Sequence, residues 1–144
     1  MANNADVQTL ISYGFKKVGG WELRNRKLRK DINPKLDDSL KLLEERAIYA
    51  YTMDDKVMYI GICQGKDTTL EKRLKGHHRK NNEKLESVNG IYEGLRKDKK
   101  IEIYAWKPRR KRTYKWLQID LVKGLESPLI CRFNTITNGW NEQT

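Results

Sequence analysis

Several side chains in this 144-residue chain have the types and spacing to act on a phosphate. Two short apolar runs each carry a tyrosine, Ala47-Ile48-Tyr49 and Tyr59-Ile60-Gly61, with the two tyrosines ten positions apart. Arg73 and His77 stand one helical turn apart, and a guanidinium fork suits phosphate oxygens. On an exposed basic helix, though, an arginine is ordinarily only a solvated charge. Glu126 falls near the expected start of the last helix, where the helix dipole favours a carboxylate in any protein. Tyr49 and Tyr59 have the equally plain reading of strand residues packed with their hydroxyls at the surface.

The charge balance narrows the partner. Thirty Lys and Arg against nineteen Asp and Glu give a net charge of +11 and a pI near 9.7, which points to a polyanion. Arg24, Arg26, Lys27, Arg29 and Lys30 crowd one block, and Lys107, Arg109, Arg110, Lys111, Arg112 and Lys115 a second. Cys63 and Cys131 fit no paired metal-ligand spacing and read as reduced, partly buried thiols. No signal peptide and no membrane-length apolar run is visible, so an intracellular, cytoplasmic protein is expected.

The elements that must hold these residues follow from periodicity. Residues 6–13 have helical spacing, ended by Gly14 and by the Gly19-Gly20 breaker. Asn33-Pro34 reads as a turn and residues 36–45 as a short helix. Residues 47–51 and 57–62 around a polar turn form a β-hairpin. Thr68 or Thr69 caps a basic helix to about residue 80, residues 88–95 form another, and residues 101–106 alternate as a half-buried strand. The last helix, constrained by Pro128, starts close to Gly124 and puts Glu126 in or next to its first turn. Trp21, Trp106 and Trp116 read as core, with a stacking wedge as the alternative. The result is a small α+β domain over residues 46–144, preceded by a basic extension over residues 1–45.

That order of elements, bearing these residues, resembles the GIY-YIG nuclease family over residues 46–141. The two tripeptides, the Arg73–His77 helix, the Leu125-Glu126 pair and the closing Trp140-Asn141 pair match the family's elements in order. Ala47 replaces the family's first glycine, and Ile62 stands where many members have lysine. The resemblance implies a central three-stranded antiparallel sheet flanked by helices, and hydrolysis of phosphodiester bonds in duplex DNA. It also implies one divalent metal, Mg²⁺ or Mn²⁺, held by Glu126, with Tyr49 binding and helping to deprotonate the water. A tyrosine near its usual pKa of about 10 is a poor base, so nearby positive charge from Arg73, His77 and the metal is needed. Tyr59 would position the scissile phosphate, His77 relay a proton or bond the phosphate, and Asn141 brace the site; His78 would face elsewhere.

The chain ends three residues after the last of these motifs, so recognition is expected from its own basic segments, as in stand-alone restriction enzymes. The candidate DNA contacts are Arg24, Arg26, Lys27, Lys66, Lys72, Arg79, Lys107, Arg109, Arg110, Lys111 and Arg112. By default such residues meet phosphates, and some arginines read guanine edges. One active centre per chain and two strands to cut suggest a homodimer, with the N-terminal extension contacting DNA or dimerising; sequential nicking by a monomer, or a tetramer, stays open. The resemblance implies a type II-like restriction endonuclease, prokaryotic or phage-encoded. Its rivals are a phage or repair endonuclease of relaxed sequence preference and a non-catalytic basic nucleic-acid-binding module.

Overall fold

The computed structural model describes residues 5–23, 32–63, 69–76, 86–108 and 112–142. Helix α1 (Ala5–Tyr13) leads into strands β1 (Lys16–Leu23) and β2 (Ile32–Leu36), and a single 3-10 turn (Lys41–Glu44) follows. The hairpin β3 (Ile48–Met53) and β4 (Lys56–Ile62) precedes helices α2 (Leu70–Gly76) and α3 (Glu86–Arg96). Strand β5 (Ile101–Trp106), a small hairpin β6 (Arg112–Tyr114) and β7 (Leu117–Ile119), and helices α4 (Leu121–Phe133) and α5 (Thr135–Asn138) complete the chain.

The main sheet has five antiparallel strands in the order β2-β1-β5-β3-β4, not the three expected. The extra two come from residues 16–36, which belong to the sheet rather than to an appended segment. The Gly19-Gly20 pair, read as a breaker, lies inside β1. A Cβ on Gly19 would strike the Lys35 carbonyl, and one on Gly20 would lie 3.0 Å from the Ile101 carbonyl. Glycine here permits close strand approach and the register shift between Lys17 and Gly19. Pro34 sits on the sheet's edge strand, opposite Trp21, where a missing N–H is tolerated. The helix expected over residues 36–45 shrinks to the 3-10 turn, because Leu36 is spent in β2 and Asp37 turns the chain by accepting from Ser39 N at 3.2 Å.

Helices cover both faces, so the central strands are buried on both sides, and β5 is not the half-buried strand its alternation suggested. Tyr49, Tyr51, Trp21, Leu70, Leu74, Ile91 and Trp140 share one core. Leu10, Ile48, Ala50, Ile60, Val122, Leu129 and Phe133 share the other. On β4 a bulge at Met58 separates the Tyr51–Tyr59 and Thr52–Val57 pairs, so that Tyr59 and Gly61 lie opposite Tyr51 and Tyr49.

Helix α4 begins three residues earlier than Gly124, because Asp120 caps it by accepting from Val122 N at 3.0 Å and Lys123 N at 3.3 Å. Pro128 lies inside that helix, and Glu126 falls in its second turn, next to the first as expected. Cys63 is buried and Cys131 exposed. Trp21 is in the core, but Trp116 is 98% exposed and belongs to no core. Among the described residues no helix is long and apolar enough to cross a membrane.

Candidate active site

The β3–β4 register places Tyr49 directly opposite Gly61. A Cβ at position 61 would lie 2.6 Å from the Tyr49 hydroxyl oxygen, so the phenol ring lies across the facing strand only because that strand offers a glycine there. Tyr49, Tyr51 and Tyr59 thus form one aromatic cluster, with ring centroids 5.2–6.1 Å apart. Tyr49 and Tyr51 are wholly buried, and Tyr59 is partly so.

Helix α2 brings a cation to this cluster. Leu70 and Leu74 bury its inner side, Leu70 N bonds the Glu45 carbonyl at 2.9 Å, and the Thr69 hydroxyl accepts from Lys72 N at 3.2 Å. Arg73, one position before Leu74, donates from Nε to the Tyr49 hydroxyl at 3.1 Å and leaves the rest of its guanidinium partly in solvent. Helix α4 contributes Glu126, which is half-buried and within the electrostatic reach of both Arg73 and Tyr59. Arg46 helps set α4 against β3, since it bonds Asp120 at 3.1 Å and the Cys63 carbonyl at 3.4 Å.

Burial decides the titration of these groups. It pushes the Tyr49 phenol well above its ordinary value; the neighbouring Tyr59 adds to this, and Arg73 opposes it only in part. Tyr59 is raised for the same first reason. Both are therefore neutral phenols at neutral pH, and Arg73 alone does not make Tyr49 a base. The Glu126 carboxyl is likewise raised by burial, again against Arg73. Glu126 is thus a carboxylate with less compensating cation than its burial calls for.

Asn141 holds the outer edge of β4, next to Tyr59. Its side chain accepts from Ile60 N and donates to the Ile60 carbonyl, both at 2.9 Å, while Trp140 N bonds the Met58 carbonyl at 2.6 Å. The Trp140-Asn141 segment therefore occupies the outer edge of β4 as a further strand would. Asn141→Ala leaves two buried backbone groups of Ile60 unpaired, at about 1–3 kcal/mol each. A thermal melt should show Tm reduced by roughly 10 °C; an unchanged melt would mean that the bidentate bond contributes nothing.

Of the residues singled out in the sequence, Tyr49, Tyr59, Arg73 and Glu126 come together and Asn141 lies next to them. Lys72 is exposed beside Arg73, and Lys107 is engaged with Glu45 at 3.5 Å. Arg112 opens β6. His77, Lys66, Arg79, Arg24, Arg26, Lys27, Arg109, Arg110 and Lys111 lie outside the described residues. Three participants had no signal in the sequence. Tyr51 completes the aromatic cluster, Arg46 reaches Asp120 across 74 positions, and the charge of Glu142 reaches Tyr59. Among the described residues no three His, Cys, Asp or Glu side chains gather into a metal cage.

No protein-family model and no curated protein matches this sequence. Among the solved structures that do match the fold, two do so over nearly the whole of this chain. A mutant of bacteriophage T4 EndoII superposes with a TM-score of 0.62 at 22% identity, covering 94% of this chain and 97% of that one. Restriction endonuclease HPY188I in complex with product DNA superposes with a TM-score of 0.52 at 18% identity, covering 97% of this chain and 86% of that one. Over nearly its whole length, therefore, this chain has the fold of a phage EndoII and of a restriction endonuclease.

Proposed function

We propose that the protein is a GIY-YIG-type endonuclease that hydrolyses phosphodiester bonds of duplex DNA at a specific site, as a type II-like restriction enzyme acting as a homodimer. The observation that carries this reading is the Arg73–Tyr49 hydrogen bond beside Glu126. One cation, two phenols and one undercompensated carboxylate then share a cluster. The two neighbours, a phage endonuclease and a DNA-bound restriction enzyme, support it.

In this mechanism the free donors of Arg73 bind a non-bridging oxygen of the scissile phosphate. The Tyr49 and Tyr59 hydroxyls orient the attacking water and the phosphate, and the packed tyrosine cluster fixes their positions. Attack forms a bond from the water's oxygen to phosphorus and breaks the bond from phosphorus to the leaving oxygen; the water gives up one proton to solvent, and the leaving oxygen takes one up from solvent. The residues fit a divalent ion such as Mg²⁺ or Mn²⁺: Glu126 would hold it, with water at the other positions, and its chemistry is neutralisation of charge on the phosphate and leaving oxygen.

The raised Glu126 carboxyl gives a pH prediction. Its protonated form cannot hold a cation, so cleavage rises with pH through a midpoint above the ordinary glutamate value of about 4.3. Protons and cation compete for one carboxylate, so that midpoint moves to lower pH as Mg²⁺ is raised. A midpoint indifferent to Mg²⁺ would remove Glu126 from the ligand role.

Plasmid digestion with and without Mg²⁺ tests the reading as a whole. Discrete fragments are expected. A smear would favour the phage type of enzyme with relaxed sequence preference, for which the EndoII likeness speaks. Tight DNA binding with no cutting under any divalent metal would leave only a binding module.

A further inference from the structure

The β6–β7 hairpin takes no part in either core, yet its surface is aromatic and apolar. Tyr114 pairs with Leu117 across the ladder, and they are 64% and 68% exposed; the turn between them is Lys115-Trp116, with Trp116 98% exposed. The tip's backbone is informative. Both turn residues have positive φ, 49° at Lys115 and 70° at Trp116, the geometry of a tight hairpin turn that favours Asn, Asp or Gly. The β3–β4 hairpin uses the same φ values, 49° and 70°, at Asp54 and Asp55. A lysine and a tryptophan in the left-handed region are thus poor choices for folding at a position where the same protein elsewhere uses residues that tolerate it. They suit contact with something outside the chain.

The charge of the turn, and of the sequence before it, indicates what that is. Lys115 lies 5.6 Å above the Tyr114 ring, and the sequence leading into the hairpin carries Lys107, Arg109, Arg110, Lys111 and Arg112. A second copy presenting the same hairpin would bring like charges together. A polyanion with stacked apolar faces suits both halves of the surface: cations for the phosphates, an indole for the bases. We propose that the hairpin is a wedge for duplex DNA, in which Trp116 stacks on a base at an opened step and Lys115 meets the adjoining phosphate. Insertion of apolar side chains between base steps is an established way to deform a duplex. This rests on the reading of the protein as a DNA endonuclease.

The test is binding of a fluorescein-labelled duplex in EDTA, followed by anisotropy, so that cleavage plays no part. Trp116→Ala removes an exposed side chain and should leave the fold intact. It is expected to weaken binding roughly tenfold with the salt slope unchanged, because the indole carries no charge, while Trp116→Phe restores most of the affinity. Lys115→Ala should instead lower the salt slope by about one. Acrylamide quenching of wild-type tryptophan should fall when DNA is added, and Trp116→Ala should abolish that change. Equal affinity of Trp116→Ala and wild type overturns the wedge but leaves the nuclease reading standing. Sedimentation showing a DNA-free oligomer that Trp116→Ala dissolves overturns it in favour of self-association. Failure of the wild type to bind any duplex overturns both readings.

Discussion

Glu126→Gln is expected to lower the cleavage rate at saturating Mg²⁺ by roughly 10³-fold or more, equivalent to about 4 kcal/mol of transition-state stabilisation. The substitution keeps the side chain's size and removes only the charge that would hold the cation. The expected effect on stability runs the opposite way. The folded protein raises the Glu126 carboxyl above its ordinary value because burial disfavours its charge. An acid with a raised folded-state pKa stabilises the fold below its unfolded pKa and loses that advantage as pH rises through the folded one. At neutral pH the ionised side chain is therefore a liability to the fold, and the neutral glutamine should melt at the same temperature or higher. Lost activity with retained or improved stability marks a residue kept for chemistry rather than packing. A variant that cuts normally sinks the proposed site. A variant that melts much lower would assign Glu126 a structural role through Arg73 instead.

Local signals carried part of this structure and long-range contacts the rest. The β3–β4 hairpin, strand β5 and helix α3 are legible because each has its own periodicity and turn residues, such as Asp54 and Asp55 at positive φ. Strands β1 and β2 were not, because Gly19, Gly20 and Pro34 are poor strand residues on any local scale. They are acceptable only where β1 approaches its neighbours closely and β2 lies at an edge, and both conditions are set by pairing with segments far along the chain. The start of α4 is not legible from Pro128, because the Asp120 side chain bonds two backbone N–H groups and caps the helix before Leu121. The residues proposed for chemistry are legible only through a family pattern. What the sequence did not contain was their support: Arg46 tying α4 to β3, Tyr51 within the aromatic cluster, and Trp116 left outside the core.

The glycine of Tyr59-Ile60-Gly61 shows how strand register and chemistry combine, and Gly61→Ala is expected to reduce cleavage about 100-fold. The added methyl would sit 2.6 Å from the Tyr49 hydroxyl oxygen and 2.7 Å from Cε2 of its ring, and would strike Cζ, all inside ordinary contact distance. Tyr49 is fully buried against both Tyr51 and Tyr59, so its ring cannot simply swing aside. Overpacking of this kind costs about 1–3 kcal/mol of stability. The hydroxyl must also move by an amount comparable to 1 Å, which breaks its 3.1 Å bond from Arg73; misplacement on that scale costs catalysis on the order of 10²-fold. A double-mutant cycle separates this route from general damage. If Gly61→Ala acts only by displacing the phenol, then adding it to Tyr49→Ala, which empties the space, causes no further loss of activity and little further loss of stability. Additive losses in the double variant would mean that Gly61 matters to the strand itself and not to the position of Tyr49.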